Sequence, residues 1–164
     1  MYTPSIAATS IQPYGAKSKD SYPLTLSMNG AQPKVLSGGS GAWIVQMAPG
    51  SKFSASLPEN PGSTGMYWRA RIEPYIESDE GYVQLKKDEY QPSQAILPGS
   101  GGIHRFEFSS GDNQPANLVK VIFELNVPFP ETTKPAAVRR LAIQFVPGST
   151  GQIWSNGPVF PFGK

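Results

Sequence analysis

Short stretches in which apolar and polar residues alternate recur along most of this chain. Phe53, Ala55 and Leu57 alternate with Ser54 and Ser56, which is the period of a strand with one buried face. Further segments that we assign as strands are Ala42–Met47, Met66–Ile76, Gly81–Lys86, Ile103–Phe108, Asn117–Val127 and Arg139–Val146. No convincing helix longer than two turns is present in the sequence. The pattern predicts an all-β fold, an immunoglobulin-like antiparallel β-sandwich in a single domain.

The composition agrees with many short strands joined by turns. Glycine and proline occur 17 times each in 164 residues, and only 16% of the residues are charged. This length suits one domain with a substantial core. The formal net charge is +2 and no basic run is present, so we expect neither nucleic acid nor a membrane surface as a partner.

Changes in composition divide the chain into three parts. Residues 1–41 form a Gly/Pro/Ser-rich arm with one strand candidate at Tyr22–Met28, residues 42–146 form the sandwich, and residues 147–164 form a tail. We expect arm and tail to be ordered by packing on the sandwich or on a second copy, through which the chain would self-associate. In the tail, Trp154 and either Phe160 or Phe162 should then be buried. No signal peptide is visible, which leaves a cytoplasmic and a processed secreted protein as alternatives.

Three loops follow or precede these strands. In the first, Asn60–Gly65, Pro61 cannot donate to a strand ladder, and Gly62 and Gly65 permit unusual backbone angles. The second is Pro98–Gly102 and the third is Val127–Glu131. Loops at one end of a sandwich cluster in space, so the three can form one wedge-shaped surface.

These motifs resemble those of the chagasin family, protein inhibitors of papain-like cysteine peptidases. Phe53–Trp68 is similar to that family's apolar strand, Asn-Pro-Thr-Thr-Gly turn and aromatic pair ending in Trp. Gly99–Gly102 matches its Gly-x-Gly-Gly, and Pro128-Phe129 matches the end of its Arg-Pro-Trp or Arg-Pro-Phe. The resemblance covers about residues 42–146. This chain departs from the family in two places, an extra residue between Pro61 and Gly65 and Val127 in place of Arg.

The resemblance implies a protein inhibitor that blocks the active-site cleft of a papain-like cysteine peptidase without any chemistry. The first loop would enter the cleft beside the catalytic cysteine, the glycines of the second would permit close approach, and Phe129 would stack on an aromatic side chain of the enzyme. The peptidase-binding residues implied in this way are Asn60, Pro61, Gly62, Ser63, Thr64, Gly65, Met66, Gly99, Ser100, Gly101, Gly102, Val127, Pro128 and Phe129.

The residues themselves give little support for an enzyme. The chain has no cysteine, and its single histidine, His104, shares a strand face with Phe106, where a packed side chain is the simplest interpretation. We find no Ser-His-Asp set and no metal-ligand cluster, and we expect no catalytic residue, metal or cofactor. Trp68 is interpreted as core, Asp88 as a solvated turn residue and Glu59 as a charge at the rim of the binding surface.

Two other classes of function stay open at this point. Gly/Pro-rich arms and tails are typical of structural subunits in viral, phage or filament assemblies, where they lie over neighbouring subunits. A carbohydrate-binding module could instead use Trp154 or Tyr67 as a stacking surface.

Overall fold

The computed structural model describes residues 22–38, 40–73, 83–93, 101–114, 118–128 and 134–155. These residues form ten strands and one helical turn, α1 (Pro61–Thr64). The strands are β1 (Leu24–Met28), β2 (Lys34–Leu36), β3 (Ala42–Met47), β4 (Lys52–Glu59), β5 (Tyr67–Glu73), β6 (Val83–Pro92), β7 (Gly102–Ser110), β8 (Val119–Asn126), β9 (Ala137–Phe145) and β10 (Gln152–Ser155). In this part of the chain, no helix is long and apolar enough to span a membrane.

The strands form two sheets of five. The first sheet has the order β2-β1-β4-β7-β6 and is antiparallel throughout. The second has the order β10-β3-β9-β8-β5. In the second sheet β3 and β9 run parallel, whereas the other pairs are antiparallel. The all-β sandwich predicted from the sequence is confirmed, but the second sheet is mixed rather than purely antiparallel.

The core lies between the sheets and is built by the residues that the alternation marks as apolar. Phe106 and Phe108 of the first sheet contact Phe123 of the second, with ring centroids 5.3 and 6.1 Å apart. Trp68 is fully buried and lies edge-on to Tyr22, so its assignment to the core is confirmed. Aromatic pairs that cross the sheets in this way fix the spacing of the two layers as well as burying apolar area.

The sandwich uses more of the chain than residues 42–146. β1 lies between β2 and β4 in the first sheet, and β10 pairs with β3 at an edge of the second. The strand predicted at Tyr22–Met28 is therefore an inner strand of a sheet, and it is stabilised by backbone hydrogen bonds on both sides. In β10 the alternation turns Ile153 towards the core and leaves Trp154 44% exposed. The expectation that the sandwich buries Trp154 is thus wrong, while Phe160 and Phe162 lie outside the described residues.

Candidate functional site

The first loop crosses from one sheet to the other at one end of the sandwich. β4 ends at Glu59 in the first sheet, and β5 begins at Tyr67 in the second. Between them, α1 makes a single helical turn, and Gly65 ends it with φ +75° and a 2.7 Å bond from its N–H to the Pro61 carbonyl. Glycine adopts this left-handed backbone conformation at the end of a helix more easily than any other residue. The first loop of this chain is thus closed by one helical turn.

The second loop lies against the first where β4 and β7 meet. Glu59 is directly opposite Gly102 in the strand register. A methyl group added at Gly101 would lie 2.9 Å from the Glu59 carbonyl oxygen and 3.0 Å from Asn60 Cβ. At Gly102 a methyl group would lie 2.8 Å from Pro92 Cα and would clash with the neighbouring backbone. The fold itself therefore requires glycine at both positions, whereas Pro98, Gly99 and Ser100 lie outside the described residues.

The third loop lies against the other side of the first. Asn126, the last residue of β8, is directly opposite Tyr67 in the strand register. A methyl group at Gly65 would lie 3.0 Å from Pro128 Cγ. Val127 is half-buried and Pro128 is exposed. Phe129 lies outside the described residues.

The described parts of all three loops therefore meet at the same end of the sandwich, which we call the loop end. The first loop lies in the middle and contacts Gly101 on one side and Pro128 on the other. Seven of the expected binding residues belong to this central segment, Asn60–Met66, and Gly101, Gly102, Val127 and Pro128 flank it. That these residues bind a peptidase stays a prediction.

Two exposed apolar side chains at the loop end were not among the residues predicted from the motifs. Ile103, directly after the second loop, is 47% exposed, and Tyr67, directly before the buried Trp68, is 40% exposed. Both point away from the core because they alternate with His104 and Trp68, which are buried. The strand parity would have identified them, since each stands one residue from a core position.

The loop end also contains a polar cluster, the Glu59 cluster, in which Glu59, Trp68 and His104 are buried and Asp88 is exposed. The Trp68 backbone N–H donates to Glu59 Oε1 at 2.7 Å, and the same oxygen lies 2.7 Å from His104 Nδ1. His104 Nε2 lies 2.5 Å from Asp88 Oδ1. In addition, the Trp68 indole Nε1–H donates to the Pro58 carbonyl at 2.7 Å.

Two sequence-based interpretations are wrong here. Glu59 is 5% exposed, and its carboxylate contacts the Trp68 backbone N–H and the His104 ring, so it is not a charge at the rim. Asp88 is exposed, as expected, but it lies within β6 and contacts His104, so it is not a turn residue. The packed histidine is confirmed, because His104 is buried and stacks on Phe106 with the ring centroids 4.4 Å apart.

Ion pairs outside the Glu59 cluster lie on the outer faces of the sheets. Burial opposes the charge on Arg71, but hydrogen bonding to Glu73 and the nearby charge of Glu124 outweigh it and raise the Arg71 pKa above its ordinary value. The hydrogen bond from Arg105 lowers the pKa of the Glu107 carboxyl. Because these pairs are exposed, they contribute little to the free energy of folding. Among the described residues, no group of three or more His, Cys, Asp or Glu side chains is placed to hold a metal ion.

Comparison with known proteins agrees with the motifs. Residues 46–133 match the family described as chagasin family peptidase inhibitor I42. Among solved structures, the chain is similar to the cysteine protease inhibitor EhICP2 from Entamoeba histolytica, with 13% sequence identity and a TM-score of 0.49. That alignment covers 65% of this chain and 88% of the other. No curated protein matches the sequence.

Proposed function

The chain belongs to the chagasin family of peptidase inhibitors, and we propose that it inhibits papain-like cysteine peptidases by blocking the active-site cleft with its loop end. In this proposal the first loop enters the cleft and its backbone lies beside the catalytic cysteine. The second and third loops contact the walls of the cleft. No bond is made or broken, so the inhibitor leaves the complex unchanged.

The observation that supports this proposal most is the central position of the first loop. Its contacts with Gly101 and with Pro128 hold the helical turn α1 between two neighbours at one end of the sandwich. A binding segment that is already held in one conformation loses little entropy when it binds. This property favours a tight inhibitor that acts by shape, as the family resemblance implies.

Ile103 and Tyr67 widen the proposed contact surface on either side of the first loop. Exposed apolar side chains next to a binding loop are well placed to lose water in a complex, and aromatic residues are frequent anchors in interfaces. With these residues included, we expect an interface of standard size, on the order of 1,600 Å² in total. The neutral Val127 provides no charged contact at the third loop, so binding depends on shape and apolar area there.

The inhibition constant against papain, measured with a peptide substrate, tests the proposal. We expect the wild-type chain to inhibit competitively and to be recovered uncleaved and unmodified, as shown by mass spectrometry. Ile103→Ala should raise the inhibition constant about tenfold, equivalent to about 1.4 kcal/mol.

Val35→Ala is the matched control, because Val35 is also an exposed β-branched strand residue but lies on the edge strand β2. It should leave the inhibition constant unchanged. No inhibition of papain at micromolar wild-type protein would reject the proposal and favour the structural-subunit alternative. An equal effect of the two alanine variants would exclude Ile103 from the contact surface.

A further inference from the structure

The two stems of the first loop are not held together by a strand ladder. Because β4 and β5 belong to different sheets, the residues that enter and leave the loop are not paired by backbone hydrogen bonds of either sheet. Side-chain hydrogen bonds between the two stems can take the place of this missing ladder.

Glu59 and Trp68 provide this connection. Glu59 is the last residue of β4, and its carboxylate accepts the backbone N–H of Trp68, the second residue of β5. The Trp68 indole donates a second hydrogen bond to the same stem, to the Pro58 carbonyl. These two hydrogen bonds join the stem that enters the first loop to the stem that leaves it.

His104 holds the Glu59 carboxylate from the neighbouring strand β7. Its ring is fixed by stacking on Phe106, and its two nitrogens face Glu59 and Asp88. Each ring nitrogen thus lies within hydrogen-bond distance of one carboxylate oxygen. Burying a carboxylate costs free energy unless hydrogen-bond partners surround it. The contacts with Trp68 and His104 offset this cost for Glu59, and they also fix where its carboxylate lies.

We propose that Glu59 is a positioning residue of the inhibitor, which fixes the first loop by joining its two stems, and that His104 orients the Glu59 carboxylate for this purpose. The effect on inhibition rests on the proposed function. The effect on the loop itself does not, because it can be measured on the free chain.

Three substitutions at Glu59 distinguish the contribution of its side-chain length from the contribution of its charge. Glu59→Gln keeps the length of the side chain and an oxygen that can accept the Trp68 N–H, but it removes the charge. Glu59→Asp keeps the charge but is one methylene shorter, so it cannot reach Trp68 and His104 together. Glu59→Ala removes the connection. Phe53→Leu is the control, since Phe53 is a core residue near the opposite end of the same strand β4.

Amide hydrogen exchange of the free variants, followed by NMR, is the primary test. The reporter is the Gly65 amide, which donates to Pro61 within the loop and not to Glu59. We expect Glu59→Ala and Glu59→Asp to speed Gly65 exchange at least tenfold relative to the core amide of Val121, and Glu59→Gln to restore the wild-type ratio. Phe53→Leu should not speed Gly65 selectively. If Glu59→Ala does not fold, the Gly65 exchange rate of Glu59→Asp alone tests the positioning role.

Dissociation from papain is the second readout, and it should be at least tenfold faster for Glu59→Asp and close to wild type for Glu59→Gln. Unchanged Gly65 exchange in Glu59→Asp, or an equal selective increase in Phe53→Leu, would overturn the positioning role. If the wild-type chain does not inhibit papain, the proposed function fails, while the exchange experiment still decides what Glu59 does.

Discussion

At the scale of single residues, Gly65 combines a left-handed backbone conformation with a close neighbour at its Cβ position, whereas Gly30 has the first constraint without the second. It has φ +75° and its Cβ position faces Pro128 at 3.0 Å, whereas Gly30 has φ +73° with open space around it. An L-residue in the left-handed region costs roughly 1–2 kcal/mol. Both glycines are therefore constrained by the backbone, but only a side chain at Gly65 would also press on the third loop.

We expect Gly65→Ala to lower the free energy of unfolding by roughly 1–2 kcal/mol and to raise the inhibition constant against papain. Gly30→Ala should lower the free energy of unfolding by a similar amount because of its φ, but leave inhibition unchanged. Urea unfolding and the inhibition constant check this pair. Equal inhibition constants for the two variants would show that the contact between the first and third loops has no role in binding.

At the scale of elements, Arg139 connects β9 to Tyr22, which lies in the segment that precedes β1. This buried guanidinium donates through Nε to the Tyr22 carbonyl at 3.0 Å and through Nη1 to the Val138 carbonyl at 2.8 Å. It also lies 6.0 Å from the centroid of the Tyr22 ring, which contacts Trp68. Arg139 thus ties an element of the first sheet to the second sheet.

Arg139→Ala should lower the free energy of unfolding by roughly 2–4 kcal/mol, because it removes a buried side chain and the two hydrogen bonds that its guanidinium donates. The adjacent Arg140 provides a matched control, since its side chain is exposed on the opposite face of β9. Arg140→Ala should change the free energy by less than about 0.5 kcal/mol. Urea denaturation of the two variants measures the difference, and similar values would mean that Arg139 does not connect the sheets energetically.

At the scale of the whole molecule, the C-terminal part of the chain closes one edge of the second sheet. β10 pairs with β3 through four residues and places Ile153 on the core. Next to it, Trp43, Ile153 and the strand β2 line an open cavity of about 350 Å³. Removing β10 would leave β3 as an unpaired edge, which favours association between chains.

We expect the chain ending at Pro147 to melt several degrees below the chain ending at Ser155, because the shorter one lacks β10. Burial of a residue such as Ile153 contributes roughly 1–3 kcal/mol, and each kcal/mol corresponds to about 2–4 °C in a domain of this size. Calorimetry gives the melting temperatures, and light scattering shows whether the open edge causes association. Equal melting temperatures would show that β10 adds nothing to stability.

Strand parity contains information on the Glu59 cluster that the interpretation of Glu59 as a rim charge did not use. The alternation in Phe53–Leu57 extends to Glu59, and that in Ile103–Phe108 includes His104, so both polar residues belong to the inward set by position alone. Asp88 could not be placed in this way. The register of β6 shifts between Leu85 and Lys87, and this bulge moves Asp88 to the face that carries Phe106.

The sequence by itself determined the all-β class, most of the core and the three loops, because period-two alternation and turn residues are local properties of the chain. Only the tertiary structure decided that β1 and β10 complete the two sheets, that β3 and β9 run parallel, and that Glu59, His104 and Asp88 meet. These features depend on which strands become neighbours and in which register. Such pairings join residues far apart in the chain, so no local pattern specifies them.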